Sequence, residues 1–364
     1  MTLLTSALLI VVGILLLFGG GELFVAGSVA LSLLLGIPQI VIGLTVVSMG
    51  TSAPELFVSL LSTLGGNSAG DAIAVSNIVG SNIFNVLVVL GLSAAIVPLQ
   101  VKSRLVRRDV PVLLAVSMAV WGMASAGRVT WQAGLALLTA LVINLVWEMR
   151  TASENPHEVE EIDESERAPA PVAAAKLAAG LGLLVVGSQV LVKGAIAAAT
   201  SLGVSETVIG LTIVAAGTSM PELVTSLVAA YRGKADLAIG NVVGSNLLNQ
   251  LVILGLCAVV SGGRGLGVDP VMVARDFPIM VATTLACLPI FWTHGVISRR
   301  EGWLLVGLYG LYLTEQVLGE TVGGALVGQF RFVVLVAVIP LVLVFLTWQV
   351  LRWREARQVH ARAD

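Results

Sequence analysis

The amino-acid sequence predicts an all-α polytopic membrane protein: an inverted repeat of five plus five transmembrane helices, followed by an eleventh span. Three observations carry that expectation. The 364 residues are 57% hydrophobic and only 12% charged, whereas soluble domains are about a quarter charged. Apolar runs of membrane-crossing length recur along the whole chain. The chain is also internally duplicated: GIPQIVIGLTVVSMGTSAPELFVSLL at 36–61 matches GVSETVIGLTIVAAGTSMPELVTSLV at 203–228 without a gap, with 15 of 26 positions identical at an offset of 167. The match resumes as SNIVGSNIFNVLVVLGL (76–92) against GNVVGSNLLNQLVILGL (240–256), now at an offset of 164. A weaker echo upstream aligns Gly20 and Gly27 with Gly187 and Gly194.

A helix rising about 1.5 Å per residue needs roughly 20 apolar residues to cross about 30 Å of hydrocarbon. Runs of that length fall at 3–31, 38–62, 71–98, 107–125 and 129–148, then at 171–198, 205–230, 236–260, 272–293 and 300–318. Five spans per repeat is an odd number, so the second repeat must enter the membrane upside down. The predicted organisation is a first repeat at 1–148 (its motif at 36–95), an acidic linker at 149–170, and a second repeat at 171–320 (its motif at 203–260). A further span at 329–352 and a basic tail at 353–364 complete it. The first apolar run has no basic region or small-residue cleavage site before it and reads as a retained span rather than a signal peptide.

With the N-terminus outside, the predicted cytoplasmic segments hold fifteen of the twenty lysines and arginines. Only Arg128, Lys193, Arg264, Arg275 and Arg331 fall elsewhere. This bias matches the positive-inside rule and places the C-terminus and the acidic linker in the cytoplasm. The linker reads as a solvated tether.

Glu55 and Glu222 lie near the middle of predicted spans, where an ionised carboxylate costs a few kcal/mol or more unless compensated. Their equivalence under the duplication brings both to one point near the midplane. Each follows Gly-Thr-Ser-x-Pro. A proline lacks the backbone donor and clashes with the carbonyl four residues earlier, so Pro54 and Pro221 should break their helices and free carbonyls around Gly50 and Gly217. Thr51, Ser52, Thr218 and Ser219 add hydroxyls, which could also back-bond within their own helices. The following span of each half supplies Ser81, Asn82 and Asn85, then Ser245, Asn246 and Asn249, with spacings that share a helical face. Asn82 and Asn246 read as interhelical ties.

These are hard oxygen donors without a cysteine or histidine, a set suited to calcium or sodium and unsuited to zinc, copper or iron. Cys257 and Cys287 sit in apolar runs, and His157, His294 and His360 lie in a loop, at a span edge and in the tail. Asp71 and Asp236 open spans and read as helix caps. Glu22 pairs with Gln189 across the duplication, so its role is asymmetric: it either lines an ion path or faces a vestibule.

At these residues the sequence resembles the sodium/calcium exchanger family of the cation/calcium antiporter superfamily. GTSAPE with SNIVGSNIFN, and GTSMPE with GNVVGSNLLN, match that family's two alpha repeats. The resemblance implies a sodium/calcium antiporter, a transporter rather than an enzyme, with no resident cofactor and with calcium, sodium and the lipid bilayer as its partners. It implies that cations bind at Glu55, Glu222, Thr51, Thr218, Ser52, Ser219, Ser81, Ser245, Asn85 and Asn249, with carbonyls from Ser48 and Ala215. The chain departs from many family members in carrying asparagine at both 85 and 249, and Ser76 stands opposite Gly240. The implied mechanism is alternating access, in which the first and sixth spans slide against a core on their small-residue runs GGGELFVAG and GSQVLVKGA. Proton/calcium antiport on the same scaffold is the alternative, and a cation channel is less favoured. A receptor or enzyme would need a soluble domain or a nucleophilic constellation that the sequence lacks. The simplest location is a prokaryotic inner membrane.

Overall fold

The computed structural model describes residues 2–102, 104–154, 166–204, 206–209, 212–213, 215–293, 295–321 and 324–363. Most of the linker, with His157, lies outside the described residues, as do His294 and four positions of the second motif (205, 210, 211 and 214).

The protein is overwhelmingly helical. Among the described residues, seven helices are long and apolar enough to cross a membrane: α1 (Leu3–Leu35), α4 (Ser68–Ile96), α6 (Trp131–Glu154, apolar as far as Arg150), α7 (Ala170–Ser201), α9 (Ala235–Val260), α10 (Pro270–Trp292) and α12 (Leu326–Trp353). The broken pair α2 (Gln39–Thr51) and α3 (Ala53–Leu64), bent by 49°, passes the same test when taken together and counts as an eighth if it is one span. Helices also occupy the predicted spans at 107–125, 205–230 and 300–318 without reaching that standard among the described residues. They are α5 (Val110–Ala124), a broken segment ending in α8 (Met220–Tyr231), and α11 (Arg299–Thr321). The physical reason is polar content: Arg107, Arg108 and Asp109 form the turn leading into α5, and Glu301 and Glu315 sit in α11. Large apolar side chains such as Leu4, Leu8, Leu15 and Leu341 point outward, as a lipid-facing surface requires.

α1 and α7 pack against each other along their lengths, and glycine sets the distance. Gly13, Gly20 and Gly27 on α1 and Gly180, Gly187 and Gly194 on α7 recur every seventh residue. A Cβ at Gly20 would lie 2.8 Å from the Leu184 nitrogen, one at Gly187 2.9 Å from the Leu17 nitrogen, and one at Gly180 2.5 Å from the Phe24 nitrogen. Only bare backbone permits that approach. The small-residue runs therefore mostly join the two long helices to each other, and only Gly21 among these glycines faces the core, against Val224 and Val228. This corrects the expectation that these runs face the core as a sliding surface.

Apart from α12, which is largely exposed, the remaining helices form a core in which the halves interlock. α2 packs on α9, and the backbones of Gly43 and Gly240 meet there. The connecting loops pair crosswise as well. β1 (Leu99–Gln100) pairs with β4 (Val296–Ile297), and β2 (Arg128–Val129) with β3 (Leu266–Gly267), both antiparallel. Each two-stranded sheet takes one strand from each half of the chain.

Asp71 and Asp236 correct the capping expectation. Asn67 caps α4, accepting the Gly70 N–H at 2.7 Å, while Asp71 pairs with Arg264 and accepts the Gly267 N–H at 3.0 Å. Asp236 pairs with Lys102. Each aspartate, in the first turn of a helix, is held by a cation from a loop of the other half. The reason is burial: both are almost fully enclosed, and a buried carboxylate needs a full countercharge rather than a turn of amides.

Replacing Gly20 by leucine should force α1 and α7 apart and lower the melting temperature of the detergent-purified protein by several degrees, as overpacking of about 1–3 kcal/mol implies. Gly19→Leu is the control, because a side chain at Gly19 meets nothing within 4 Å and should leave the melting temperature within about one degree.

Candidate functional site

The site forms where two broken helices meet. Ser52, at φ −80° and ψ 7°, interrupts the helix between α2 and α3, and Ser219, at φ −89° and ψ 9°, does the same before α8. Pro54 and Pro221 stand in the first turn beyond each break, where the missing N–H costs nothing. Glu55 and Glu222 follow in those same turns, at the N-terminal end of a helix, which favours negative charge. Both side chains are 0% exposed.

Across the junction each glutamate is held by the serine of the other half. Ser52 Oγ donates to Glu222 Oε1 at 2.9 Å, and Ser219 Oγ donates to Glu55 Oε1 at 2.9 Å. Thr51 also faces Glu222, and Thr218 faces Glu55. Ser81 joins through Ser219, with their hydroxyl oxygens 3.1 Å apart. One oxygen of each carboxylate, Oε2, is buried without a hydrogen-bond partner, and the same is true of Asn85 Oδ1, Asn249 Oδ1 and Ser245 Oγ. All five atoms belong to residues singled out from the sequence. A buried oxygen without a donor is costly, and each of these can accept a cation.

Four of the asparagines on α4 and α9, Asn82, Asn85, Asn246 and Asn249, tie the halves together beside the acids. Asn85 Nδ2 donates to Asn246 Oδ1 at 3.1 Å, and its counterpart Asn249 Nδ2 donates to Asn82 Oδ1 at 3.4 Å. Asn246 Nδ2 also reaches the Asn82 carbonyl at 3.2 Å. Asn82 and Asn246 are thus interhelical ties. Immediately after, at Asn85–Leu90 and Asn249–Ile253, both helices widen into a π-helical turn, a distortion common at functional sites.

Some expected donors are placed differently. The Gly217 carbonyl, freed by Pro221, is taken by the Ser188 hydroxyl of α7. The Ser48 carbonyl accepts a helical bond from the Ser52 N–H at 3.0 Å and lies 3.4 Å from the Thr51 hydroxyl, while the Ser48 hydroxyl donates back to the Leu44 carbonyl. Ala215 opens the short helix Ala215–Gly217. Glu22 lies away from this centre, half exposed and paired with Arg232 at the end of α8, and Glu166 of the linker pairs with Lys234 nearby at 2.7 Å. Cys257 and Cys287 are buried and free. No group of three His, Cys, Asp or Glu gathers among the described residues, so the oxygens come from mixed side chains.

Three residues were missed in the sequence. Asn77 and Asn241, equivalent under the duplication, each bind the backbone carbonyl of the glutamate in their own half, at 3.2 Å and 3.3 Å. Gln250, which donates to Ser117 Oγ at 3.1 Å, was also passed over. The available signal was a repeated amide inside an otherwise apolar run.

The two halves are not equally covered. Val224 and Val228 on α8 are 5% and 3% exposed under α1, while their equivalents on α3, Phe57 and Leu61, are 63% and 65% exposed. The glutamate-bearing helix α8 is covered by a long helix, and its counterpart α3 is bare at the equivalent positions.

Known membrane proteins resemble this chain over most of its length. The model of the sodium/calcium exchanger protein family matches residues 5–150 and 172–318. CaxA of Alkalimonas amylolytica is 36% identical over 312 residues, covering 83% of this chain and 96% of that protein. The inner membrane protein YrbG of Escherichia coli is 34% identical over 331 residues, covering 87% and 100%. A solved structure of the sodium-calcium exchanger NCX_Mj superposes with a TM-score of 0.73 at 29% identity, over 86% of this chain and 99% of that one.

In a variant lacking Cys257 and Cys287, a cysteine at Phe57 should react with a water-soluble maleimide at least about tenfold faster than one at Val224. Mass spectrometry of the detergent-purified protein reads the difference, and equal rates would contradict the unequal covering.

Proposed function

Because the chain belongs to the sodium/calcium exchanger family of membrane cation/calcium antiporters, we propose that it exchanges Na+ for Ca2+ by alternating access at the centre built on Glu55 and Glu222. The observation that carries this reading is the pair of fully buried carboxylates with one oxygen each left without a donor, among amide and hydroxyl oxygens in the same condition. One Ca2+ balances two carboxylates. Na+ can balance the same charge, and it needs neutral oxygens in addition, which the hydroxyls and amides supply. A proton would need none of them.

The proposed ligands are Glu55, Glu222, Thr51, Thr218, Ser52, Ser219, Ser81, Ser245, Asn85 and Asn249, with the carbonyls of Ser48 and Ala215. Coupling follows from burial: an empty, charged site is costly to enclose, so the protein changes sides when cations have neutralised both glutamates. α1 and α7 are the moving pair. Their mutual glycine seam keeps them together, and the contrast between sealed α8 and open α3 is what one of two alternating states requires. The Glu22–Arg232 pair fastens α1 to the sealed end.

The same reading assigns five spans to each half in opposed orientation and an eleventh to α12, with the N-terminus outside and the C-terminus inside a prokaryotic inner membrane. Crosswise strand pairing and the matched Asp71–Arg264 and Asp236–Lys102 pairs support opposed halves.

The test is calcium uptake into sealed liposomes. An outward Na+ gradient should drive uptake, and Glu222→Gln should lower it by about 30-fold or more, the factor for ~2 kcal/mol of lost coordination. Uptake driven only by an outward proton gradient would replace sodium with protons as the coupling ion. Uptake indifferent to both gradients would remove antiport altogether.

A further inference from the structure

We propose that Asn77 and Asn241 are positioning residues that turn the Thr218 and Thr51 hydroxyls into cation acceptors, each acting on the threonine of the opposite half. The proposal rests on the reading of the site given above and adds two residues to it.

The orientation of each amide is fixed by its neighbours. Asn241 Nδ2 lies 3.3 Å from the Glu222 carbonyl and 2.9 Å from Ser226 Oγ. Asn77 Nδ2 lies 3.2 Å from the Glu55 carbonyl and 3.0 Å from Ser59 Oγ. A backbone carbonyl only accepts, so in both residues the NH2 group must face the glutamate's helix and the amide oxygen must face away. That oxygen meets a threonine hydroxyl: Thr51 Oγ1 donates to Asn241 Oδ1 at 3.1 Å, and Thr218 Oγ1 donates to Asn77 Oδ1 at 3.3 Å. The same arrangement appears twice, with donor and acceptor in opposite halves.

A hydroxyl carries one hydrogen and two lone pairs. Thr51 and Thr218 stand within hydrogen-bond reach of the carboxylates of Glu222 and Glu55, so each carboxylate competes with the amide oxygen for the hydroxyl hydrogen, and at Thr51 the Ser48 carbonyl, 3.4 Å away, is a third and more distant acceptor than Asn241 Oδ1 at 3.1 Å. Left to themselves, they would donate that hydrogen to the carboxylate, present a positive end to an incoming cation and occupy a carboxylate lone pair. With the hydrogen held by an amide oxygen, the lone pairs are free to face the cation and the carboxylate oxygen remains available. Ser52 and Ser219 have no such amide and do donate to the carboxylates. The serine holds the acid in place, and the threonine next to it is kept as a ligand. Because each asparagine also grips its own half's glutamate through the carbonyl, it fixes that acid and the opposite threonine at a single spacing.

The alternative is that these asparagines only tie α4 to α3 and α9 to α8. The two roles differ in what they need: a tie works through the amide donors, whereas orientation works through the threonine hydroxyl. Equilibrium binding of radioactive Ca2+ to the full-length, detergent-purified protein separates them through a double-mutant cycle. Asn241→Ala and Thr51→Val should each weaken binding about tenfold, and the double variant should be no weaker than either single one. Ser226→Ala, which removes only a partner of the amide donors, should bind as the wild type does. Asn77→Ala with Thr218→Val forms a second, half-buried cycle if the Asn241 variants do not fold. Effects that multiply to about 100-fold, loss of binding in Ser226→Ala, or unchanged binding in the asparagine variants would overturn the proposal while leaving the site intact. A wild-type protein that binds no Ca2+ would instead sink the reading of the site, and this proposal with it.

Discussion

Two carboxylates at one buried point constrain everything around them. Isolated burial of an ionised carboxylate is prohibitive in an apolar protein, and two side by side add repulsion to desolvation. The surrounding structure answers in three ways. Helix breaks at Ser52 and Ser219 aim the start of a helix at each acid, a serine from the opposite half holds one oxygen, and the other oxygen stays without a protein donor. The last feature distinguishes a site that holds a removable charge from one that is permanently satisfied. A purely structural pair would have recruited an arginine, as Asp71 and Glu148 do elsewhere in the same chain.

Symmetry and its violation divide the labour. The main contacts at and around the acids occur twice with donor and acceptor exchanged between halves: serine to glutamate, threonine to asparagine, asparagine to asparagine and, further out, aspartate to a basic residue and strand to strand. Within the centre the departures are small, Ser81 meeting Ser219 while Ser245 Oγ has no partner; the large ones lie outside it. Glu22 and Arg232 have Gln189 and Gly65 as their counterparts, and α1 covers α8 while α3 is left bare. Under the alternating-access proposal, a symmetric core with an asymmetric cover would have a second arrangement, related to this one by exchanging the roles of the halves. That is the requirement for a two-state element.

Most of the centre was legible in the sequence because the duplication aligned it. Glu55, Ser52 and Asn85 stand out in an apolar run, and their recurrence at a fixed offset removes the reading of a lone buried polar group. Partners were illegible where pairing crosses between halves. Asp71 looks like a helix cap because its neighbours Asn67 and Ser68 are cap residues, and nothing in the local chain points to Arg264. The glycines of α1 were legible as close-packing residues but not as to which neighbour they meet, since a seven-residue spacing marks a stripe and not its partner. Asn77 and Asn241 were overlooked for a related reason. Their importance lies in facing a carbonyl and a hydroxyl at once, and spacing along one helix carries no information about that.

The crosswise pairing has a consequence for how the chain is made. Asp71 leaves the ribosome 193 residues before Arg264, and Glu55 precedes Ser219 by 164 residues. At ordinary rates of synthesis, about 5–20 residues per second, the first half spends on the order of ten seconds in the bilayer with its carboxylates lacking their partners. Those groups must be protonated, or be held near the water interface, until the second half arrives. Insertion and assembly are therefore separate events for this protein, and a translational pause or truncation between the halves would leave an inserted but unfinished product exposed to quality control.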